Sequence, residues 1–127
     1  MKNLELNYEY FIRQINREEE ILKLCESDNI IKLYKEFKTK NYIILELEYC
    51  GIDLSKFIKI KGPLNKNREL FYNILEQLSE ALKILHGKGI IHRDIKPCNI
   101  FIDEYSNKIK LGGFGCSTHI NSNKYKK

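Results

Sequence analysis

Ile90-Ile91-His92-Arg93-Asp94-Ile95-Lys96-Pro97-Cys98-Asn99-Ile100 is the stretch on which the fold of this chain turns. An acid (Asp94), a cation (Lys96) and an amide (Asn99) stand within six residues of one another, between apolar anchors on both sides. Pro97 fixes its own φ and stiffens the segment between them. A loop so braced presents its polar groups to one point. Close positioning and neutralisation of charge are what phosphoryl transfer demands, because the reaction leaves the protein little covalent work. The plainer alternative is that Asp94 and Asn99 satisfy backbone groups in a tight turn.

Outward from this loop the chain alternates helix and strand signals. On its N-terminal side, residues 65–86 carry Leu70, Phe71, Ile74, Leu75, Leu78, Ala81, Leu82 and Leu85 on one broad face of a helix, with Asn65 as N-cap and Gly87 as stop. On its C-terminal side, residues 100–103 and 108–111 read as two short strands around a polar turn. A brief helix over residues 53–60 ends at Gly62-Pro63, and Gly51 interrupts the pattern before it. Residues 30–37 and 42–47 read as a hairpin around Lys38-Thr39-Lys40-Asn41.

Nearer the start, Phe11, Ile15, Leu22 and Cys25 recur at helical spacing, and Glu18 falls on the same stripe. A carboxylate in the middle of an apolar face is costly unless a cation or donor meets it. Glu19 and Glu20 read as ordinary solvated charges.

With 43% apolar and 31% charged residues in 127, the composition is that of one globular unit. The formal charge of +5 is spread among interspersed acids, and only Lys124, Lys126 and Lys127 form a run, so nucleic-acid binding is the weakest of the function classes. Cys25, Cys50, Cys98 and Cys116 include no C-x-x-C pair, which signals neither zinc nor a disulfide framework and suits an intracellular, cytoplasmic or nuclear setting. No apolar run is long enough to span a membrane, and the start lacks the apolar core of a signal peptide.

The loop, with Lys two residues and Asn five residues after the Asp, resembles the catalytic loop of eukaryotic-type Ser/Thr protein kinases. The resemblance implies that Asp94 accepts the substrate hydroxyl proton, that Lys96 neutralises the transferred phosphoryl group, and that Asn99 holds magnesium. It makes His92 and Arg93 regulatory, with Arg93 meeting a phosphorylated activation loop. The Lys96-Pro97 pair is similar to the Ser/Thr-specific form.

The order of long helix, loop and hairpin is that of the family, which next places D-F-G. Here the chain reads Leu111-Gly112-Gly113-Phe114-Gly115, so Phe114 is kept and Gly113 stands where the metal-binding Asp belongs. Loss of that charge and oxygen is expected to cost about 3 kcal/mol or more, roughly two orders of magnitude in rate. Ser117 and Thr118 follow where activation-loop phosphosites can begin.

The first half is similar to the family as well. Glu18 looks like the regulatory-helix carboxylate that pairs with a strand lysine; position 18 leaves no room for that lysine, or for a glycine-rich loop before it. Residues 42–47 resemble the strand entering the hinge, with Leu45 near the gatekeeper and Glu46, Leu47 and Glu48 supplying backbone to adenine.

The implied fold class is α+β, a partial kinase-like bilobal fold truncated at both ends: residues 1–49 as partial N-lobe and hinge, residues 50–127 as partial C-lobe up to the start of the activation loop. The implied function is a fragment of an ATP- and Mg-dependent kinase acting on Ser/Thr of protein substrates, with very low activity of its own. The alternative is a catalytically inactive, pseudokinase-like module that binds a partner kinase or a substrate. Missing neighbours would leave strand edges and helix faces uncovered and the isolated chain marginally stable.

Overall fold

The computed structural model describes the backbone of residues 2–120 and the side chains from Tyr8 to Ile120. The basic run at Lys124, Lys126 and Lys127 lies outside the described residues. The first element, α1 (Lys2–Leu24), starts earlier than the apolar stripe suggested. Its burial is concentrated near its C-terminal end, where Ile21 and Leu22 lie inside and Cys25 follows, whereas Phe11 is 58% exposed. The stripe is therefore covered only toward its C-terminal end, because helical spacing says which residues share a face and not how far that face stays covered.

A hairpin follows, β1 (Leu33–Lys38) paired antiparallel with β2 (Ile43–Leu47), with a register shift between Leu33 and Lys35. Thr39 closes the turn: its backbone N–H donates to the Tyr42 carbonyl at 2.8 Å, and its hydroxyl oxygen accepts from the Tyr42 N–H at 2.9 Å. The first strand begins at Leu33 rather than Ile30. Residues 29–31 are extended but run along a different strand, β6 (Ile109–Leu111), where Leu111 N–H donates to Asn29 O at 2.8 Å and Ile31 N–H to Leu111 O at 3.1 Å.

Glu19 is not the solvated charge expected of it. Its side chain is 12% exposed and lies 2.8 Å from Lys23 and 3.4 Å from Lys38, both of which also meet Glu36 of β1. The facing Glu36 carboxyl and the Lys23 ammonium hold the Glu19 pKa down to about 2. This four-membered charge cluster fastens α1 to the hairpin.

Gly51 leads into β3 (Ile52–Asp53) and α2 (Leu54–Lys61). Its φ of +101° is open to glycine, and an added Cβ would stand 2.1 Å from the Ile102 carbonyl oxygen. Asp53 caps α2 by accepting from Lys56 N–H at 3.0 Å, and Gly62 N–H returns to the Ile58 carbonyl before Pro63 breaks the chain. The long helix, α3 (Arg68–Gly87), begins later than expected: Asn67, not Asn65, is the cap, accepting from Leu70 N–H at 3.1 Å. Asn65 sits instead in a 3-10 turn (Leu64–Lys66), and Gly87 is the last helical residue rather than the stop.

After α3 come β4 (Ile90–Ile91), β5 (Ile100–Ile102), β6 and β7 (Thr118–His119). β3, β5 and β6 form one antiparallel sheet in that order, and β4 pairs with β7. The architecture is an α+β mix consistent with a partial kinase fold. Its core joins the two halves of the chain, with Ile21 and Leu22 of α1, Ala81 and Leu85 of α3, and Ile102, Ile109 and Leu111 of the sheet all in one buried cluster. Each buried Ile or Leu side chain among them contributes about 1.5–3 kcal/mol of transfer free energy. Phe71 and Leu75 of α3 are on the surface, 37% and 42% exposed, so the helix's apolar face is wider than its buried one.

Candidate active site

The loop after β4 is held from beneath by His92, which is 1% exposed. Its Nε2 lies 2.7 Å from the Gly112 carbonyl, and its Nδ1 lies 3.0 Å from the Asp94 backbone N. Because a backbone N–H can only donate, Nδ1 is the acceptor and Nε2 carries the proton that goes to Gly112. Burial pushes the His92 pKa down, and the Gly112 carbonyl and the Asp94 carboxylate only partly offset it. The ring also meets Phe114 edge-on, with centroids 5.0 Å apart.

This bracing brings the three polar residues together. Asp94 Oδ1 lies 3.6 Å from Lys96 Nζ, and Asn99 Nδ2 donates to Asp94 Oδ2 at 3.1 Å and to the Asp94 carbonyl at 2.9 Å. Pro97 opens a 3-10 turn (Pro97–Asn99) that brings the Asn99 amide back toward Asp94. Asp94 is 34% exposed and Lys96 51%, so the cluster faces solvent. Arg93 is strained at φ 68° and turns away, donating from Nε to the Cys116 carbonyl at 2.7 Å.

The match to the family model described as "Protein kinase domain" runs over residues 1–127. The chain belongs to the protein kinase family. It is 42% identical over 117 residues to a probable serine/threonine-protein kinase (fhkA) of Dictyostelium discoideum, covering 87% of this chain and 19% of that protein. It is 37% identical over 121 residues to the serine/threonine-protein kinase ppk35 of Schizosaccharomyces pombe, covering 94% of this chain and 19% of that one. A third relative, the CBL-interacting protein kinase 24 of Oryza sativa, is 40% identical over 92% of this chain and 25% of its own length. The chain therefore spans about a fifth to a quarter of these kinases.

Within the kinase frame, Gly113 sits in a left-handed conformation, φ 70° and ψ 53°, directly before the 3-10 turn Phe114–Cys116. Phe114 is fully buried beside His92 and anchors the turn that Gly113 opens. Glu18 approaches this turn from α1. Burial raises its pKa, while the backbone N–H groups of Phe114 and Gly115 pull in the opposite direction. In this structure those amides, not a lysine, answer the question posed by a carboxylate on an apolar stripe.

Protein kinases use ATP and magnesium. The residues present do not fit the ion: Gly113 has no oxygen to offer from a side chain, the Asn99 amide, Oδ1 included, lies against Gly113 where that side chain would begin, and no group of three His, Cys, Asp or Glu side chains among the described residues is placed to hold a metal. On the hinge side, Leu45, Glu46 and Leu47 are all still in β2, whose outer edge has no strand partner among the described residues. Glu48 is committed: its backbone N–H donates to Lys32 O at 2.8 Å, and its carboxylate takes two bonds from Lys110 at 2.8 and 3.0 Å. Partial burial works against that charge, but Lys110 and Lys32 hold the Glu48 pKa below the usual range.

Three features escaped the sequence reading. Asn29, 9% exposed, donates from Nδ2 to the Ile109 carbonyl at 2.9 Å and to Gln77 Oε1 at 3.1 Å, tying the segment after α1 to β6 and α3. A lone Asn before Ile30-Ile31 reads as a turn residue, and nothing local reveals a partner 80 positions away. Ser117, after the 3-10 turn, and Thr118, the first residue of β7, are buried at 3% and 2% exposed, and Ser117 Oγ donates to the His92 carbonyl at 3.3 Å. Both residues lie inside the fold rather than on a solvent-facing loop. Finally, a cavity of about 390 Å³ lies between α1 and residues 115–118, lined by Arg13, Gln14, Arg17 and Arg93, and does not include Asp94.

Proposed function

We propose that this chain is the central portion of a Ser/Thr-type protein kinase domain that transfers phosphate very poorly. The observation that carries this reading is Gly113, flush against the Asn99 amide where the family needs an acid. In this reading Asp94 would accept a proton from a protein hydroxyl, and Lys96 would stand beside the phosphoryl group. The backbone of residues 45–48 is the surface against which adenine would lie, with residues 1–49 as N-lobe and hinge and 50–127 as C-lobe. An intracellular setting and a protein substrate follow from the family. No helix among the described residues is long and apolar enough to cross a membrane.

The test is incubation of the purified chain with magnesium-ATP and a generic protein substrate. Incorporation should stay at background and be the same in Asp94→Asn. Robust transfer that disappears in Asp94→Asn overturns the reading.

A second reading, a non-catalytic module that engages a full kinase, is favoured by the β1–β2 hairpin. Tyr34, Phe37, Tyr42 and Ile44 are exposed there, beside an edge of β2 that has no strand partner among the described residues. Co-purification with a larger kinase chain supports it, and a strictly solitary monomer counts against it.

A further inference from the structure

Asn99 does more in this fold than stand near Asp94. A Cβ built on Gly113 would lie 2.4 Å from Asn99 Cγ, 2.4 Å from Oδ1 and 2.7 Å from Nδ2. Non-bonded carbon atoms sit about 3.5–4.0 Å apart at their optimum, so the amide occupies the volume from which any side chain at 113 must set out. The asparagine is fixed there by its own bonds. Nδ2 donates to both the carbonyl and Oδ2 of Asp94, the backbone N–H donates to Lys96 O at 2.9 Å, and the backbone carbonyl accepts from Gly112 N–H at 2.8 Å. One residue thus links the acid of the loop to the turn that carries Gly113.

We infer that Asn99 is a plug: its amide closes the divalent-cation position against Gly113 and acts as a positioning group for Asp94, not as a metal ligand. Gly113 and Asn99 form an interdependent pair, in which the amide reaches its place because residue 113 has no side chain. The inference rests on the proposed reading for the identity of the cation position. Its tests read proximity and folding instead of turnover, so the two fail separately.

The direct test uses the unmodified chain, isotopically labelled, titrated with Mn²⁺ and ATP while the Asn99 side-chain amide and the Gly113 backbone amide are followed by NMR. The plug predicts that both signals keep their intensity, because the paramagnetic ion does not settle beside them. Selective broadening of the Asn99 amide overturns it.

The second test is a double-mutant cycle on stability. Gly113→Ala should raise the unfolding equilibrium constant roughly a hundredfold in the natural background and roughly tenfold or less in Asn99→Ala, because only the strain of a left-handed alanine then remains. Where Gly113→Ala does not fold, rescue by Asn99→Ala supports the plug and failure to rescue overturns it. Should Asn99→Ala alone not fold, the Mn²⁺ titration decides.

Discussion

His92 and Gly112, twenty positions apart, are joined by a 2.7 Å bond from the imidazole to the carbonyl, in a place where neither meets solvent water freely. The bond couples the loop of Asp94 to the turn of Gly113, and Phe114 packs on the same ring. His92→Ala should therefore cost about 3 kcal/mol, through lost hydrogen bonds and a cavity. Urea denaturation of the two proteins measures it.

The same histidine predicts a pH dependence. Its folded pKa lies below the ordinary value of 6.5, so on acidification the unfolded chain takes up its proton first. The stability it gives is complete above pH 6.5 and is lost as pH falls from there through the folded value. A His92→Gln variant should lack this portion of the stability–pH profile.

Glu18 works with the opposite sign. Its folded pKa is raised above 4.5, so the folded state holds the proton more tightly, and stability declines as pH rises from 4.5 through the folded value. Glu18→Gln keeps an oxygen for the Phe114 and Gly115 amides and removes the buried charge. It should be as stable as the natural chain or more so at pH 7, and its profile should lack that decline.

Asn29→Ala should destabilise by about 2–3 kcal/mol, since it strands the Ile109 carbonyl, which is buried, and removes a bond to Gln77. The loss should appear in the unfolding midpoint with little change in denaturant slope. Gly51→Ala should be at least as damaging, because the new methyl meets the Ile102 carbonyl at 2.1 Å while the backbone holds φ at +101°.

Much of this was legible in the residues. The string around Asp94 named the loop, and the spacing of α3, loop and hairpin gave the order of elements, because both depend on local chemistry and short-range period. What stayed hidden depends on distant partners. Ile30 and Ile31 carry a strand signal, but only packing reveals that they run beside Leu111 and not beside β2. Glu19 looks like a surface charge until Glu36, Lys23 and Lys38 close around it. The glycine at 113 was visible; that the Asn99 amide lies against it was not, since a missing side chain does not say what fills the space.

With the Asn99 amide plugging the cation position as proposed, this chain cannot assemble a metal-bound nucleotide between Asp94, Asn99 and Gly113. Calorimetric titration with ATP, with and without Mg²⁺, examines it most directly. Whatever affinity ATP shows should be the same in both conditions, and a tightening of roughly tenfold or more on adding Mg²⁺, about 1.4 kcal/mol, would contradict it.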